Sequence, residues 1–209
     1  AKIRESIDNP WNHHQLDKLI PQDMGVAKLS AWQQLRYRVA DRYKPTAAWN
    51  ECYQNHADAA QFRRWLKMLL SDQRRWDVQE GYALSPLARS FGLLTYRHFH
   101  LQTTLGTAIY QDRSLSNLAG LQQAWTDYPL LKATIRNEHL EADLMAALQQ
   151  AGVHLSAANI EMIEKAGANP KNSSRRLATA DYYDASTREL VARKEAFIIE
   201  QYGYKFPTD

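Results

Sequence analysis

Phe62, Trp65, Leu66, Leu69 and Leu70 fall at i, i+3, i+4, i+7 and i+8, so a helix through them carries one apolar face, with Arg63, Arg64 and Lys67 on the other. Only eight glycines and seven prolines interrupt the 209 residues. No period of about 20–50 residues repeats, so the chain is not a solenoid and its elements are expected to be long. Ser85-Pro86 supplies an N-cap and a first-turn proline for a helix through Leu87, Phe91, Leu94, His98 and Leu101, with Gly106 as its stop. Leu115, Leu118, Leu121 and Trp125 define another, closed by the turn around Asp127 and Pro129.

Further along, Leu131-Lys-Ala-Thr-Ile135 has the branched, apolar content of a short buried strand, and Asn137 then caps a helix through Leu140, Leu144, Ala147 and Leu148 to Gly152. Ser156 starts a helix through Ile160 and Ile163 to Gly167. A polar loop from Ala168 to Arg176 follows. Ser186-Thr-Arg-Glu189 reads as a capping box for a last helix whose stripe is Leu190, Val191, Phe197, Ile198 and Tyr202, ended by Gly203, with Tyr204 and Phe206 docking as a tail. In the first sixty residues, Leu29, Trp32, Leu35, Val39 and Tyr43 approximate a helical stripe while Leu35, Tyr37 and Val39 alternate as a strand would; the helix is the preferred reading. Pro10, Pro21 and Pro45 divide this region into short pieces.

Composition excludes several classes. With 44% hydrophobic residues the chain can bury a core without staples, and a single cysteine, Cys52, supports neither a disulfide framework nor a thiolate metal site. A reducing, cytoplasmic setting is the expectation. No apolar run approaches the ~18 residues of a membrane span. Nothing in Ala-Lys-Ile-Arg reads as a signal peptide, and a start at Ala1 is expected to reflect truncation or processing. A net charge of +3 favours anionic ligands mildly and falls short of a dedicated nucleic-acid binder.

Seven histidines invite a metal reading. His13-His14 are adjacent, however, and His98 and His100 point in different directions on a helix, so neither pair has the i, i+3 or i, i+4 spacing of a two-ligand site; no metal is expected. His98 lies on an apolar stripe and reads as a core histidine. No nucleophile elbow, zinc-protease helix or dinucleotide loop occurs. Arg63, Arg64, Lys67, Arg74 and Arg75, interleaved with Trp65 and Trp76, suggest a cationic aromatic face, for which a solvated helix surface is the plainer reading. Lys171-Asn-Ser-Ser-Arg-Arg176 combines hydroxyls and cations on a turn, a composition able to cradle a phosphate, though an exposed polar loop is its commoner fate.

The order of motifs around that loop carries a resemblance. Ile135-Arg-Asn-Glu-His-Leu-Glu-Ala-Asp-Leu144 resembles the strand-to-helix segment of bacterial and carbohydrate-type sulfotransferases. A short helix, the Asn/Ser/Arg loop, Asp181-Tyr-Tyr-Asp184, Glu189-Leu-Val191 and Ile199-Glu-Gln-Tyr-Gly-Tyr-Lys-Phe206 then follow as in that family's carboxy-terminal end. The similarity covers about residues 131–206, with an echo in Phe62-Arg-Arg-Trp-Leu66. The family's P-loop, Pro-Lys-x-Gly followed by hydroxyl residues, has no counterpart. Its Arg-Asn-Pro-Trp-Asp signature is echoed only by Asp8-Asn-Pro-Trp-Asn12, where Asp8 replaces the arginine.

The resemblance implies a mainly α chain with a few short strands, similar to the helical carboxy-terminal portion of the α/β P-loop sulfotransferase fold. The expected organisation is a single domain over 1–209, with an irregular or helical region 1–58, a helical region 59–130 and the sulfotransferase-like region 131–206. It further implies transfer of a sulfuryl group from 3′-phosphoadenosine 5′-phosphosulfate (PAPS) to an acceptor hydroxyl, with adenosine 3′,5′-bisphosphate (PAP) as product, by a chain that is a fragment or degenerate. Lys171, Ser173, Ser174, Arg175 and Arg176 would contact the donor, and Arg136 and Glu138, matching the family's Arg-x-Glu, would form a structural ion pair. No catalytic residue follows, and the acceptor is a hydroxyl compound such as a carbohydrate. The rival reading is a non-catalytic helical module that binds a protein or carbohydrate. Nucleic-acid binding through Arg63, Arg64, Arg74 and Arg75 is the third, disfavoured by the low net charge.

Overall fold

A computed structural model describes residues 29–55, 57–78, 81–167 and 177–206. The Asp8–Asn12 echo, His13, His14 and the proposed donor contacts Lys171, Ser173, Ser174, Arg175 and Arg176 lie outside the described residues. The chain divides into two compact units, Ala1–Tyr128 with Arg176–Asp209, and Pro129–Arg175.

The described part of the first unit is built from helices α1 (Ala31–Arg42), α2 (Thr46–Cys52), α3 (Ala59–Leu69), α4 (Leu93–Gln102) and α5 (Leu118–Asp127), with short 3₁₀ turns between α3 and α5. Among those turns are Arg75–Asp77, Tyr82–Leu84, Pro86–Arg89, Gly106–Tyr110 and Arg113–Ser116. Asp58 caps α3 by accepting from the N–H groups of Ala60 and Gln61, and the expected stripe buries Leu66, Leu69 and Leu70. These pack into a core where Trp49, Leu87, Tyr96, Phe99, Ile109 and Phe197 are almost fully buried. Burying each large apolar side chain contributes about 1.5–3 kcal/mol.

Several expectations need correction. Ser85 does cap a turn at Pro86, but the helix stops at Arg89 and restarts as α4 after Gly92, which leaves Leu94 and Leu101 exposed. Leu115 belongs to the turn Arg113–Ser116, and Asn117 opens α5 by accepting from Gly120 N–H. At α1 the helix is present, held by a reciprocal capping box between Ser30 and Gln33, but it presents the opposite face. Tyr37 is completely buried, edge-on to Trp76 with ring centroids 5.0 Å apart, while Trp32, Leu35, Val39 and Tyr43 are exposed.

In the same unit, after the segment 129–175, the chain continues as three more helices, to be numbered after those of the second unit. The second unit holds a 3₁₀ turn, Asn137–His139, then α6 (Leu140–Gln150) and α7 (Ala157–Gly167). Gly152, at φ +78°, closes α6 with N–H bonds from Gly152 to Gln149 and from Val153 to Leu148, a left-handed cap only glycine adopts without strain. The expected strands are absent: among the described residues no strand forms, and residues 131–135 are all exposed. A strand needs a hydrogen-bonded neighbour, and branched composition alone does not provide one. Returning to the first unit, α8 (Thr179–Tyr182), α9 (Ala185–Lys194) and α10 (Ala196–Tyr202) complete the chain. Asp184 with Thr187, rather than Ser186 with Glu189, makes the capping box of α9. The last helix is broken at Glu195 and ends, as expected, at Gly203, φ +65°.

Candidate functional site

Of the basic residues singled out in the sequence, Arg63, Arg64, Lys67 and Arg74 meet at one hollow, but the three arginines are met by carboxylates. Arg64 pairs with Glu51 at 2.6 Å. Arg63 lies 3.6 Å from Asp184 and donates to the carbonyls of Asp181 and Tyr182 at 3.4 Å. Arg74 sits 3.7 Å from Asp77. Trp65 spends its indole N–H on Tyr53 Oη at 2.8 Å. A hollow of about 450 Å³ opens beside Arg63, Arg64, Lys67 and Arg74, but Asp184 lines it, so its charge is partly cancelled. The Asp184 carboxyl is held well below the usual range by the N–H and hydroxyl of Thr187 and by Ser186.

Arg75 turns elsewhere. With Arg36, Arg89 and Arg113 it lines a cleft of about 370 Å³, together with Trp32, Trp76 and Tyr110, and among the described residues no carboxylate lines it. None of these four arginines makes an ion pair among the described residues. Arg36 lies over the Trp76 ring at 4.7 Å, a cation–π contact that holds the guanidinium without neutralising it. Arg75 Nε and Trp76 Nε1 are buried with no hydrogen-bond partner. Leaving such donors unmade costs about 1–3 kcal/mol each, so a bound acceptor would be worth that much more here than at an ordinary surface.

Different elements aim these side chains. α1 carries Arg36, the turn Arg75–Asp77 carries Arg75 and Trp76, and the turns at Pro86–Arg89 and Arg113–Ser116 end or begin with Arg89 and Arg113. Ser85 ties the Pro86–Arg89 turn to the turn Gly106–Tyr110, which carries Tyr110, accepting from Leu87 N–H and donating to Ile109 O at 2.7 Å. Asp77 is buried beneath, where it accepts from Trp49 Nε1 at 3.1 Å. Burial pushes the Asp77 carboxyl above its ordinary range, against the opposing pull of the Trp49 donor and of Arg74.

Arg136 pairs with Asp143 rather than with Glu138. Its Nε and Nη2 reach the two carboxylate oxygens at 2.9 and 3.1 Å, and its own N–H donates to the same group at 3.0 Å. That fork, led by the side-chain hydrogen bond from Arg136, holds Asp143 down at about 2. It is a structural lock at the start of α6.

No protein-family model, curated protein or solved structure matches this chain.

Among the described residues no three His, Cys, Asp or Glu side chains gather to hold a metal ion, and no helix is long and apolar enough to cross a membrane. His98 is a core residue, 4.6 Å from Trp125 and 5.8 Å from Phe197 between ring centroids. Cys52 is buried and donates to Ala48 O, and burial pushes its thiol up, away from a reactive thiolate. The arginine cleft was legible only in part. Arg75 stood in the basic run, but Arg36, Arg89 and Arg113 sit in unrelated segments with no shared motif, and only the folded turns bring them together.

Proposed function

We propose that this chain is a sulfotransferase-like protein that holds a sulfate- or phosphate-bearing ligand in the cleft of Arg36, Arg75, Arg89 and Arg113. The observation that carries the reading is the convergence of four guanidinium groups on one concavity with no carboxylate among its described lining residues. Guanidinium binds sulfate and phosphate through paired N–H···O bonds, and several such groups neutralise a multiply charged head. Sulfuryl transfer requires that kind of neutralisation at the donor and its bisphosphate product. PAPS and PAP carry the sulfate and phosphate groups that four guanidinium groups suit. The order of motifs over 131–206 supports the reaction class, and under the resemblance Lys171, Ser173, Ser174, Arg175 and Arg176 stand as the alternative donor contacts.

Calorimetric titration with PAP, using adenosine 5′-monophosphate as the control lacking the 3′-phosphate, tests the reading. Micromolar binding that requires the 3′-phosphate and is lost in Arg75→Gln/Arg89→Gln supports it. Binding that survives this variant but is lost in Arg175→Ala/Arg176→Ala moves the site to the loop, and no binding by either nucleotide removes the reading.

One observation favours a second reading: every arginine of the cleft lies in a helical unit with no strand among its described residues. A non-catalytic helical module would bind an anionic protein or carbohydrate there without chemistry. Release of PAP from PAPS in the presence of hydroxyl acceptors separates the two, since the module binds anions and releases none.

A further inference from the structure

The arginine cleft has a neighbour. Trp32, Arg36 and Trp76 line both it and a second hollow of about 470 Å³ that runs along α1. Leu35, Val39 and Tyr43 form the α1 side of that groove and are 50%, 49% and 74% exposed, with Trp32 at 65%. Positions 32, 35, 39 and 43 step by three and four residues, which places them on one helix face. Four large apolar side chains aligned on an open face are more than the scattered exposure an ordinary surface shows.

The charge pattern along this furrow is one-sided. Among the described residues the groove's single carboxylate, Asp77, is buried and already accepts from Trp49 Nε1, with Arg74 at 3.7 Å. At the other end stand the four arginines. The junction is built rather than fluid: Tyr37 holds Trp76 edge-on, and Arg36 lies over its ring. The two adjoining hollows thus form a furrow that is cationic on one side of Trp32, Arg36 and Trp76 and largely aromatic and aliphatic on the other, and each hollow has the size of a small-molecule site, about 300–1,000 Å³.

We infer that the furrow takes an amphiphilic anion, an organic sulfate or phosphate monoester with its charged head among the arginines and its aryl or alkyl body along Trp32, Leu35, Val39 and Tyr43. The inference rests on the anion-binding reading above and names the class of molecule that fills both halves. Charge complementarity fixes the head, and the adjacency of groove and cleft across Trp32, Arg36 and Trp76 fixes where the body lies. An inorganic ion would satisfy the arginines and leave the apolar face wet.

The test is a titration of the full chain with inorganic phosphate, phenyl phosphate, octyl phosphate below its micelle concentration, and octanol, read by calorimetry and tryptophan fluorescence. Octyl phosphate is expected to bind at least about tenfold more tightly than inorganic phosphate, since each buried methylene favours binding by about 0.8 kcal/mol. Leu35→Ser/Val39→Ser, at exposed positions, is expected to remove that gain and leave inorganic phosphate binding unchanged. Arg89→Gln/Arg113→Gln is expected to weaken both. Equal affinity for inorganic and octyl phosphate would overturn the inference while leaving the anion reading standing, and no binding of any phosphate would remove both. Octanol binding as tightly as octyl phosphate would also overturn it, as would binding only to phosphatidylcholine vesicles containing phosphatidylglycerol and not to the monomeric ester. The ligand series on the unaltered protein decides the matter even if a variant fails to fold.

Discussion

Glu195 caps α4 from a hundred residues away: its carboxylate accepts the Thr95 N–H at 2.8 Å and the Thr95 hydroxyl at 2.7 Å. It also accepts Leu94 N–H at 3.2 Å. The helix's own N-cap, Gly92, has no side chain to do this, so the break between α9 and α10 supplies the missing acceptor at the positive end of the dipole. Beside it, the Lys194 carbonyl oxygen accepts from Gly92 N–H at 2.7 Å, and the Lys194 ammonium donates to Asp72 at 2.6 Å. The closing helices are fastened to the core through the start of α4.

Glu195→Gln is therefore expected to destabilise the protein by about 1–3 kcal/mol, because an amide NH2 cannot accept from the Thr95 and Leu94 donors, whereas both oxygens of Glu195 keep acceptor capacity in either protonation state. The pH dependence follows from burial, which pushes the Glu195 carboxyl above its ordinary 4.5 despite the donors from Thr95 and Leu94. A carboxyl raised on folding contributes stability that is present below its unfolded value and lost as pH rises through the folded one. The advantage of the unaltered protein over the glutamine variant should thus be greatest below about pH 4.5 and shrink above it. Denaturant unfolding of both proteins across that range checks it; a difference that grows with pH would mean the donors outweigh burial.

Gly92→Ala should also be costly. A Cβ there would land inside the Glu195 carboxylate and 2.7 Å from Leu70 Cδ2. Overpacking of this kind costs about 1–3 kcal/mol. The double variant Gly92→Ala/Glu195→Ala removes the carboxylate clash, so in thermal unfolding its loss should fall short of the two single losses added together. Strict additivity would show that the two positions do not meet.

These contacts mark the boundary of what the sequence reveals. The α3 stripe, the stop at Gly203 and the helix from Ser156 to Gly167 were readable because a turn of helix and its cap are written within a few neighbouring residues. At α1 the period correctly grouped Trp32, Leu35, Val39 and Tyr43 on one face. It could not say that the other face, through Tyr37, would meet Trp76 and be the buried one. Leu131–Ile135 has strand composition but no partner to pair with. The arginine cleft depends on four segments arriving at one place, which no local pattern encodes, and the loop from Lys171 to Arg176 was readable only as composition.

Phe197→Ala tests the core where the closing helix enters it. The ring is 1% exposed and lies 4.8 Å from Phe99 and 6.2 Å from Trp125 between centroids. Truncation leaves a cavity among rings that cannot collapse to fill it, so a loss of about 3–5 kcal/mol is expected in denaturant unfolding. A loss under about 1 kcal/mol would mean that α10 is not part of the cooperative core.

His98 should make the same core sensitive to acid. Burial among Phe99, Trp125, Phe197 and Tyr202 lowers its pKa below the ordinary 6.5, and its Nε2 is buried without a hydrogen-bond partner. A histidine lowered on folding contributes stability that is present above its unfolded value and lost as pH falls through the folded one. Protonation places a cation among aromatic rings with nothing to accept its proton, so stability should fall from about pH 6.5 downwards. His98→Leu keeps an apolar body in the site and cannot titrate. The stability difference between the unaltered protein and His98→Leu should then be constant above about pH 7 and move in favour of the variant below the ordinary histidine value. Unfolding free energies from pH 8 to pH 5 decide it, since a difference that stays flat across that span would mean the protonated ring is accommodated and the site is not the acid-sensitive point of the core.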